Sequence, residues 1–350
     1  MKTVEKELYP FDLSINRIKK AWGGWSGKVG EIWSLSGPPH DSLVLNGPLA
    51  GSRLTDIVGA FQERLLGKDM ELDPREPFPL LLKFIHTAED TSIEVHPDDA
   101  YTLENGLPMI GADKIWYVIS ASPGSQIYLG FKEKVNNKDI KKAVVEKDLL
   151  ELVNSVKVKP GELYTIPAGR IHSIGKGVLL FEVRRHSDLV FRLSGSHTKE
   201  LKSALTFLNF NPIKPTSIPK IKTSHEKNTI EYLALTPHFV LRRLIIKNSF
   251  DFSLKGNRFI VYSALRGKGW LRWGFSEIYI YIQPYQSILV PAVPGELFFE
   301  SEEDLELIEI SVPDLAGETS EQMSRAGIKL DRLVALGGED YGKILKDYLR

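Results

Sequence analysis

The chain contains no cysteine in its 350 residues. That excludes a disulfide framework and any thiolate metal site. It also carries no net charge, with 45 basic residues against 45 acidic ones. No broad field is available to draw nucleic acid or an anionic membrane surface. No stretch reaches the roughly 18 apolar residues of a membrane span. The opening Met-Lys-Thr-Val-Glu-Lys-Glu leads into no apolar segment of the secretory kind. The expected partner is therefore neither nucleic acid nor membrane, and the expected location is the cytoplasm. The length suffices for two or three compact units.

Against these absences stand many short strand-like runs. Leu80–His86, Ser92–His96, Ile115–Ser120 and Gln126–Phe131 read as strands, and the pattern resumes over 155–193. Residues 53–67 have helical spacing, with Leu54, Ile57, Val58, Phe61 and Leu65 on one face and Gly67 as C-cap. Residues 137–154 and 197–209 also read as helical. From 229 to 312 the chain turns strand-rich again, with Glu277–Gln283 and Leu305–Val312 as sandwich-type strands. Residues 339–350 form an amphipathic helix that must pack on something. The expected architecture is mainly β: two cupin-like jelly-roll β-barrels with helical segments. The expected division is an N-terminal catalytic-type domain over 1–209, a linker over 210–228, a second cupin-like domain over 229–315 and a helical tail over 316–350.

Two barrels are implied by an internal repeat. Pro160-Gly-Glu-Leu-Tyr-Thr-Ile-Pro167-Ala168 matches Pro284-Tyr-Gln-Ser-Ile-Leu-Val-Pro291-Ala292 in spacing. Each copy precedes an apolar strand, Val178–Val183 or Leu305–Ile310. Only the first copy has a histidine after its turn; the second has Glu296 at the place of His172.

The run Gly161-Glu-Leu-Tyr-Thr-Ile-Pro167-Ala-Gly169-Arg-Ile-His172 has the form G-x5-P-x-G-x-x-H. It delivers one imidazole to the mouth of a small barrel. Upstream, Ser92-Ile-Glu94-Val-His96-Pro97 supplies another imidazole and a carboxylate, two residues apart and so on one strand face. Two imidazoles and a carboxylate suit a divalent first-row metal. The alternative is a binding barrel whose histidines only make hydrogen bonds. Lys83 is a charge within the apolar run Leu80-Leu-Leu-Lys83-Phe-Ile, and it needs either solvent or a polar cavity. Glu182, Arg184, His186, Asp188 and Arg192 form a titratable run after an apolar strand.

Together these motifs resemble type I mannose-6-phosphate isomerase, a zinc-dependent cupin family. The resemblance runs from about residue 20 to about 312. Its landmarks include Trp22-Gly23-Gly24, Asn46-Gly-Pro-Leu-Ala-Gly51, the Lys83 strand, the Glu94–His96 strand, Trp116-Tyr117-Val118, the His172 turn and Ser187-Asp188-x-x-x-Arg192. It implies interconversion of mannose 6-phosphate and fructose 6-phosphate through an enediol, with zinc or another divalent metal as cofactor. It further implies Glu94, His96 and His172 as metal ligands, and Arg192, Glu182 and Asp188 as catalytic-site residues. Trp22, Lys83, Ser92 and Lys199 would meet the sugar phosphate.

The family holds its metal with a Gln and a His from S-x-Q-V-H-P, a Glu from G-K-x-E-x-W-Y and the His of the P-A-G-x-x-H turn. Here Glu94 replaces the Gln, Ala112 the Lys and Lys114 the Glu. Three outcomes follow. Glu94 is itself the carboxylate ligand; or a Glu94–Lys114 ion pair stands in the metal's place; or a bulge near Gly111 turns Asp113 inward. The first gives an isomerase with an altered metal shell. The second gives a non-catalytic sugar-phosphate-binding relative.

Overall fold

The computed structural model describes residues 7–68, 70, 72–193, 198–274, 278–314 and 327–349. The chain divides into two compact units. One comprises Arg17–Trp33 and Asp73–Ser217; the other comprises Met1–Asn16, Ser34–Leu72 and Ile218–Arg350.

The first unit is built on two antiparallel sheets. One runs in the order β2 (Asn16–Lys19), β3 (Val29–Leu35), β4 (Leu80–His86), β11 (Val178–Arg185), β6 (Lys114–Ala121) and β9 (Leu163–Ile166). The other runs β12 (Phe191–Arg192), β5 (Glu94–Val95), β10 (His172–Ile174), β7 (Gln126–Phe131) and β8 (Val153–Lys157). Their facing apolar residues make one core. Ile85, Trp116, Val118 and Leu180 come from the first sheet, and Ile127, Leu129 and Ile174 from the second. Among the described residues this unit has three α-helices, α3 (Asp99–Glu104), α4 (Asn137–Glu146) and α5 (Thr198–Ala204). Asn136 and Asp139 form a capping box that starts α4. Ile140 and Ala143 of α4 pack on Phe131, Val153 and Leu205.

The second unit has one nine-stranded sheet, ordered β1 (Phe11–Asp12), β19 (Ser287–Val290), β17 (Ile260–Trp273), β20 (Gly295–Ser311), β15 (Val240–Ile246), β14 (Asn228–Leu235) and β13 (Ile221–His225). The long strands β17 and β20 shift register near Ala264–Gly269. Past that irregularity they pair with β18 (Tyr279–Ile282) and β16 (Ser249–Leu254). The core holds Leu244, Tyr262, Leu271, Leu297, Phe299 and Leu307.

The mainly β architecture with helical segments is as expected. The closed barrels are not: among the described residues no sheet closes on itself, and the outer strands of each sheet stay unjoined. The helix expected over 53–67 is two, α1 (Leu54–Phe61) and α2 (Glu63–Leu66). It breaks at Gln62, whose φ of 41° is incompatible with a continuing right-handed helix. Gly67 does cap it, at φ 115°. A Cβ there would sit 2.3 Å from the Asn257 carbonyl, so only glycine fits. Residues 221–225, within the stretch read as a linker, form β13. The C-terminal helices α6 (Leu330–Ala335) and α7 (Gly338–Tyr348) lay Leu333, Leu336 and Leu345 on Ile221, Leu235 and Val240, which gives the amphipathic tail its partner.

Candidate functional site: a two-histidine, one-carboxylate centre in a charged cleft

Glu94 on β5 stands directly across from His172, the first residue of β10. Arg192 of β12 flanks Glu94 on the other side. His96 lies two residues beyond Glu94 and turns the same way. The ligand atoms of Glu94, His96 and His172 all lie within 4.8 Å of one another. The expected trio therefore converges.

Each imidazole is oriented by a backbone carbonyl. His96 Nδ1 lies 2.5 Å from the Leu189 carbonyl oxygen, and His172 Nδ1 lies 2.8 Å from that of Arg170. A carbonyl can only accept, and the 2.5 Å Leu189 contact outweighs the Arg184 Nη2 that lies 3.4 Å from His96 Nδ1, so each Nδ1 carries the proton and each Nε2 keeps a lone pair. Both Nε2 atoms are buried and have no hydrogen-bond partner. Burial, reinforced by the Lys114 ammonium, holds both imidazoles well below the ordinary histidine range, so they are neutral at pH 7. Two such lone pairs beside a carboxylate fit a divalent first-row metal ion. Carbonyl-anchored Nδ1–H groups are the outer support such ligands need.

The turn that delivers His172 is pinned at several points. Asp113 Oδ1 accepts from the Ala168 amide at 2.8 Å, and the Gly169 amide donates to the His96 carbonyl at 2.7 Å. Gly169 has φ 77°, and a Cβ there would lie 2.7 Å from the Phe207 carbonyl. Asp113 is thus turned to this backbone, not to the metal-ligand trio, which removes the bulge reading.

Lys114 is buried, and its Nζ lies 3.3 Å from Glu182 Oε2. Its ion pair is with Glu182 and not with Glu94, which corrects the alternative reading that set a Glu94–Lys114 pair in the metal's place. The register explains it. Glu182 faces Trp116 on β6, so Lys114 is its diagonal neighbour in the same sheet, while Glu94 belongs to the other sheet. Glu182 also accepts from Trp116 Nε1 at 2.7 Å and pairs with Arg184 at 3.5 Å. Burial alone would raise Glu182; Lys114, Arg184, Lys83 and the indole outweigh it and hold the carboxyl well below its ordinary value. Burial lowers Lys114 to about 8 against the pull of Glu182.

Lys83 is equally buried. It pairs with Asp188 at 2.6 Å and Glu31 at 3.6 Å, and lies 4.1 Å over the Trp33 ring. Of solvent and polar cavity, it takes the polar cavity. Asp188 also pairs with Arg184 at 3.6 Å, and Glu31 with Lys20 at 3.1 Å. Ser92 donates its hydroxyl to Glu94 Oε1 at 2.7 Å, and Arg192 Nε lies 3.7 Å from the same oxygen. Trp22, Lys83, Ser92, Glu94, His96, Lys114, His172, Glu182, Asp188 and Arg192 all line one cleft. Lys199 falls on α5, but its side chain lies outside the described residues.

The cleft also contains Lys20, Glu31 and Arg184. Five lysines and arginines therefore face four carboxylates. Arg184 is legible in retrospect, since it is two residues from Glu182 on one face of β11. Glu31 and Lys20 carry no such signal: Glu31 reaches the cleft because β3 lies beside β4, and Lys20 because it follows β2, the next strand of the same sheet.

Residues 24–113 match the family model for the phosphomannose isomerase type I catalytic domain. The chain is 29% identical over 308 residues to the mannose-6-phosphate isomerase ManA of Bacillus subtilis, covering 81% of this chain and 93% of that one. It is 27% identical over 289 residues to the mannose-6-phosphate isomerase of Streptococcus mutans, covering 77% and 88%. Among solved structures, a Bacillus subtilis mannose 6-phosphate isomerase superimposes with a TM-score of 0.76 at 24% identity, covering 86% of this chain and 99% of that one. A zinc-bound mannose 6-phosphate isomerase superimposes with a TM-score of 0.67 at 15% identity, covering 87% and 99%.

Proposed function

We propose that this chain, a relative of the type I phosphomannose isomerases, interconverts mannose 6-phosphate and fructose 6-phosphate with a divalent ion, zinc foremost, held by Glu94, His96 and His172. The observation that carries the reading is the pair of buried Nε2 lone pairs turned toward one point beside the Glu94 carboxylate. A cation there would polarise the sugar carbonyl and stabilise the charge that develops on its oxygen.

The chain's own residues supply the rest. Arg192, two-fifths exposed at the cleft, is the arginine we assign to the sugar. Glu182 and Asp188 are held as carboxylates by the cations around them, which makes both poor proton acceptors. We assign them to orienting Lys114, Lys83 and Arg184. Burial brings Lys114 down to about 8, within reach of a neutral amine. In its amine form it takes the proton from C2 of the aldose and O1 is protonated, giving the enediol; the O2 hydroxyl then gives up its proton, making good the one taken by O1, as the ammonium returns its proton to C1, leaving the ketose. The cationic excess of the cleft suits a phosphate, and we keep Lys83, Ser92, Trp22 and Lys199 as the residues nearest the sugar phosphate. A cytoplasmic location goes with that substrate, whose phosphate charge opposes passage through a bilayer. The non-catalytic reading rested on a Glu94–Lys114 pair in the metal's place; Lys114 pairs with Glu182 instead, and that basis is gone.

The test is metal analysis of the purified protein beside an isomerisation assay. Stoichiometric zinc, with turnover removed by a chelator and restored by zinc, is expected. Failure to take up zinc or manganese, with no turnover at any metal concentration, would sink the proposal.

A further inference from the structure

The cations of the cleft differ in how much of their charge is already matched. Lys83, Lys114 and Arg184 have side chains only 4%, 4% and 2% exposed. Lys83 meets Glu31 and Asp188, Lys114 meets Glu182, and Arg184 meets Glu182 and Asp188. Lys20 is different. Its side chain is 30% exposed, and among the described residues its one ion pair is with Glu31, at 3.1 Å. That carboxylate is shared, since Glu31 also accepts from the Trp33 indole at 2.6 Å and lies 3.6 Å from Lys83. An ammonium has three donors, so Lys20 keeps two beyond its contact with Glu31.

The backbone holds Lys20 in that place. Its amide donates to the Lys28 carbonyl at 2.9 Å, and its carbonyl accepts from the Gly23 amide at 2.9 Å, which closes a turn with Trp22 inside it. Gly30 on β3 leaves room for both side chains. A Cβ there would lie 2.6 Å from Cζ3 of Trp22 and 2.8 Å from Cβ of Lys20, so any other residue would displace them. Lys20 comes from the edge strand β2, and Lys114, beside the histidines, from β6, four strands along the same sheet. The 6-phosphate is the end of the sugar far from C1 and C2. A phosphate is costly to strip of its water, so it belongs beside a partly wet cation and not beside the buried ones.

We propose that Lys20 receives the phosphate at the mouth of the cleft and so sets the preference for phosphorylated over free sugar. Glu31 holds the ammonium in position, and Gly30 keeps the space in which Lys20 and Trp22 lie side by side. The identity of the sugar phosphate rests on the function proposed above; the contact between Lys20 and a phosphate does not.

The experiment uses the full chain with zinc supplied, titrated calorimetrically with mannose 6-phosphate, with isomerisation assayed in parallel. Lys20→Met keeps the stem and removes the ammonium. Affinity for mannose 6-phosphate should fall about ten- to a hundredfold, the loss of one charge-assisted hydrogen bond. Inorganic phosphate, used as a competitor, should lose affinity by a similar factor. Lys20→Arg should recover most of both losses. Lys19→Met removes the same charge from an exposed neighbour that does not line the cleft, and should bind as the unsubstituted chain does. Unchanged affinity in Lys20→Met overturns the proposal, and so does an equal loss in Lys19→Met, which would mean a diffuse field. Competition by inorganic phosphate that is indifferent to Lys20→Met overturns it too, as does the absence of saturable mannose 6-phosphate binding at millimolar concentration. Binding that depends on Lys20 without turnover at any metal concentration would uphold the phosphate contact and remove the isomerase reading, so the two fail separately.

Discussion

Lys114 and Glu182 form a buried ion pair at 3.3 Å on adjacent strands of one sheet, immediately beside two histidines whose Nε2 atoms have no partner. The ammonium depends on Glu182 more than the carboxylate depends on Lys114. Glu182 also has Arg184 and the Trp116 indole, whereas Lys114 has no second carboxylate within ion-pair distance among the described residues. Removing one partner of a buried pair strands the other charge. Glu182→Gln should therefore destabilise the metal-free protein by about 3 kcal/mol, and Lys114→Met by about 1 kcal/mol. Urea denaturation in the presence of chelator measures both. The reverse order would contradict the assignment of partners.

The same lysine should oppose the metal and serve the reaction. An ammonium beside the ligands repels a cation and cannot itself bind one. Lys114→Met should therefore raise zinc affinity by about tenfold, a change of roughly 1.4 kcal/mol. Isomerisation should fall at least about a hundredfold, the usual cost of losing a general acid–base group. Competition against a chromophoric chelator gives the first quantity and a steady-state assay the second. Tighter zinc with unchanged turnover would remove Lys114 from proton transfer while leaving its place beside the metal intact.

Acid should weaken the protein in a window set by the histidines. Their folded-state pKa values are depressed, mainly by burial. Below about pH 6.5 an unfolded imidazole takes up a proton that the folded one refuses. The unfolded state then binds more protons, so stability falls as pH falls from that point. Lys114 is also a base with a depressed pKa, about 8 against an ordinary 10.5. The unfolded state again binds more protons between those values, so this contribution rises with pH across that alkaline window. Chemical denaturation of metal-free protein between pH 5 and pH 7 should show the loss, and the His96→Ala, His172→Ala protein should show a flatter profile. An unchanged slope in that variant would place the acid lability elsewhere.

Much of the centre was legible because its residues obey short-range rules. Period two puts Ser92, Glu94 and His96 on one strand face, and the Pro167–His172 turn fixes where its imidazole emerges. Long-range pairing was less legible. Nothing in the run from Gly111 to Trp116 says that Lys114 will meet Glu182, because that depends on the register of β6 against β11. Lys20 and Glu31 reach the cleft through pairings from a different part of the chain. Sheet closure was overread, since alternating strands specify two faces but not whether the outer strands join.

Asp113 offers the sharpest separation of support from ligation. Its carboxylate accepts from the Ala168 amide and so holds the turn whose far end is His172. It is not among the residues lining the cleft. Asp113→Ala removes the charge-assisted hydrogen bond to the Ala168 amide, whose loss should cost roughly 1.5–3 kcal/mol of stability. The larger effect should fall on the metal, because outer-shell partners set ligand orientation and their loss typically costs about 10- to 100-fold in affinity. Asp113→Asn keeps an acceptor oxygen for the Ala168 amide and should recover most of that loss. Zinc affinity and isomerisation at saturating zinc should then diverge in Asp113→Ala, affinity falling while turnover of the loaded enzyme stays within a few fold. Equal losses in Asp113→Ala and Asp113→Asn would mean that the negative charge, and not the hydrogen bond to the turn, is what the centre requires.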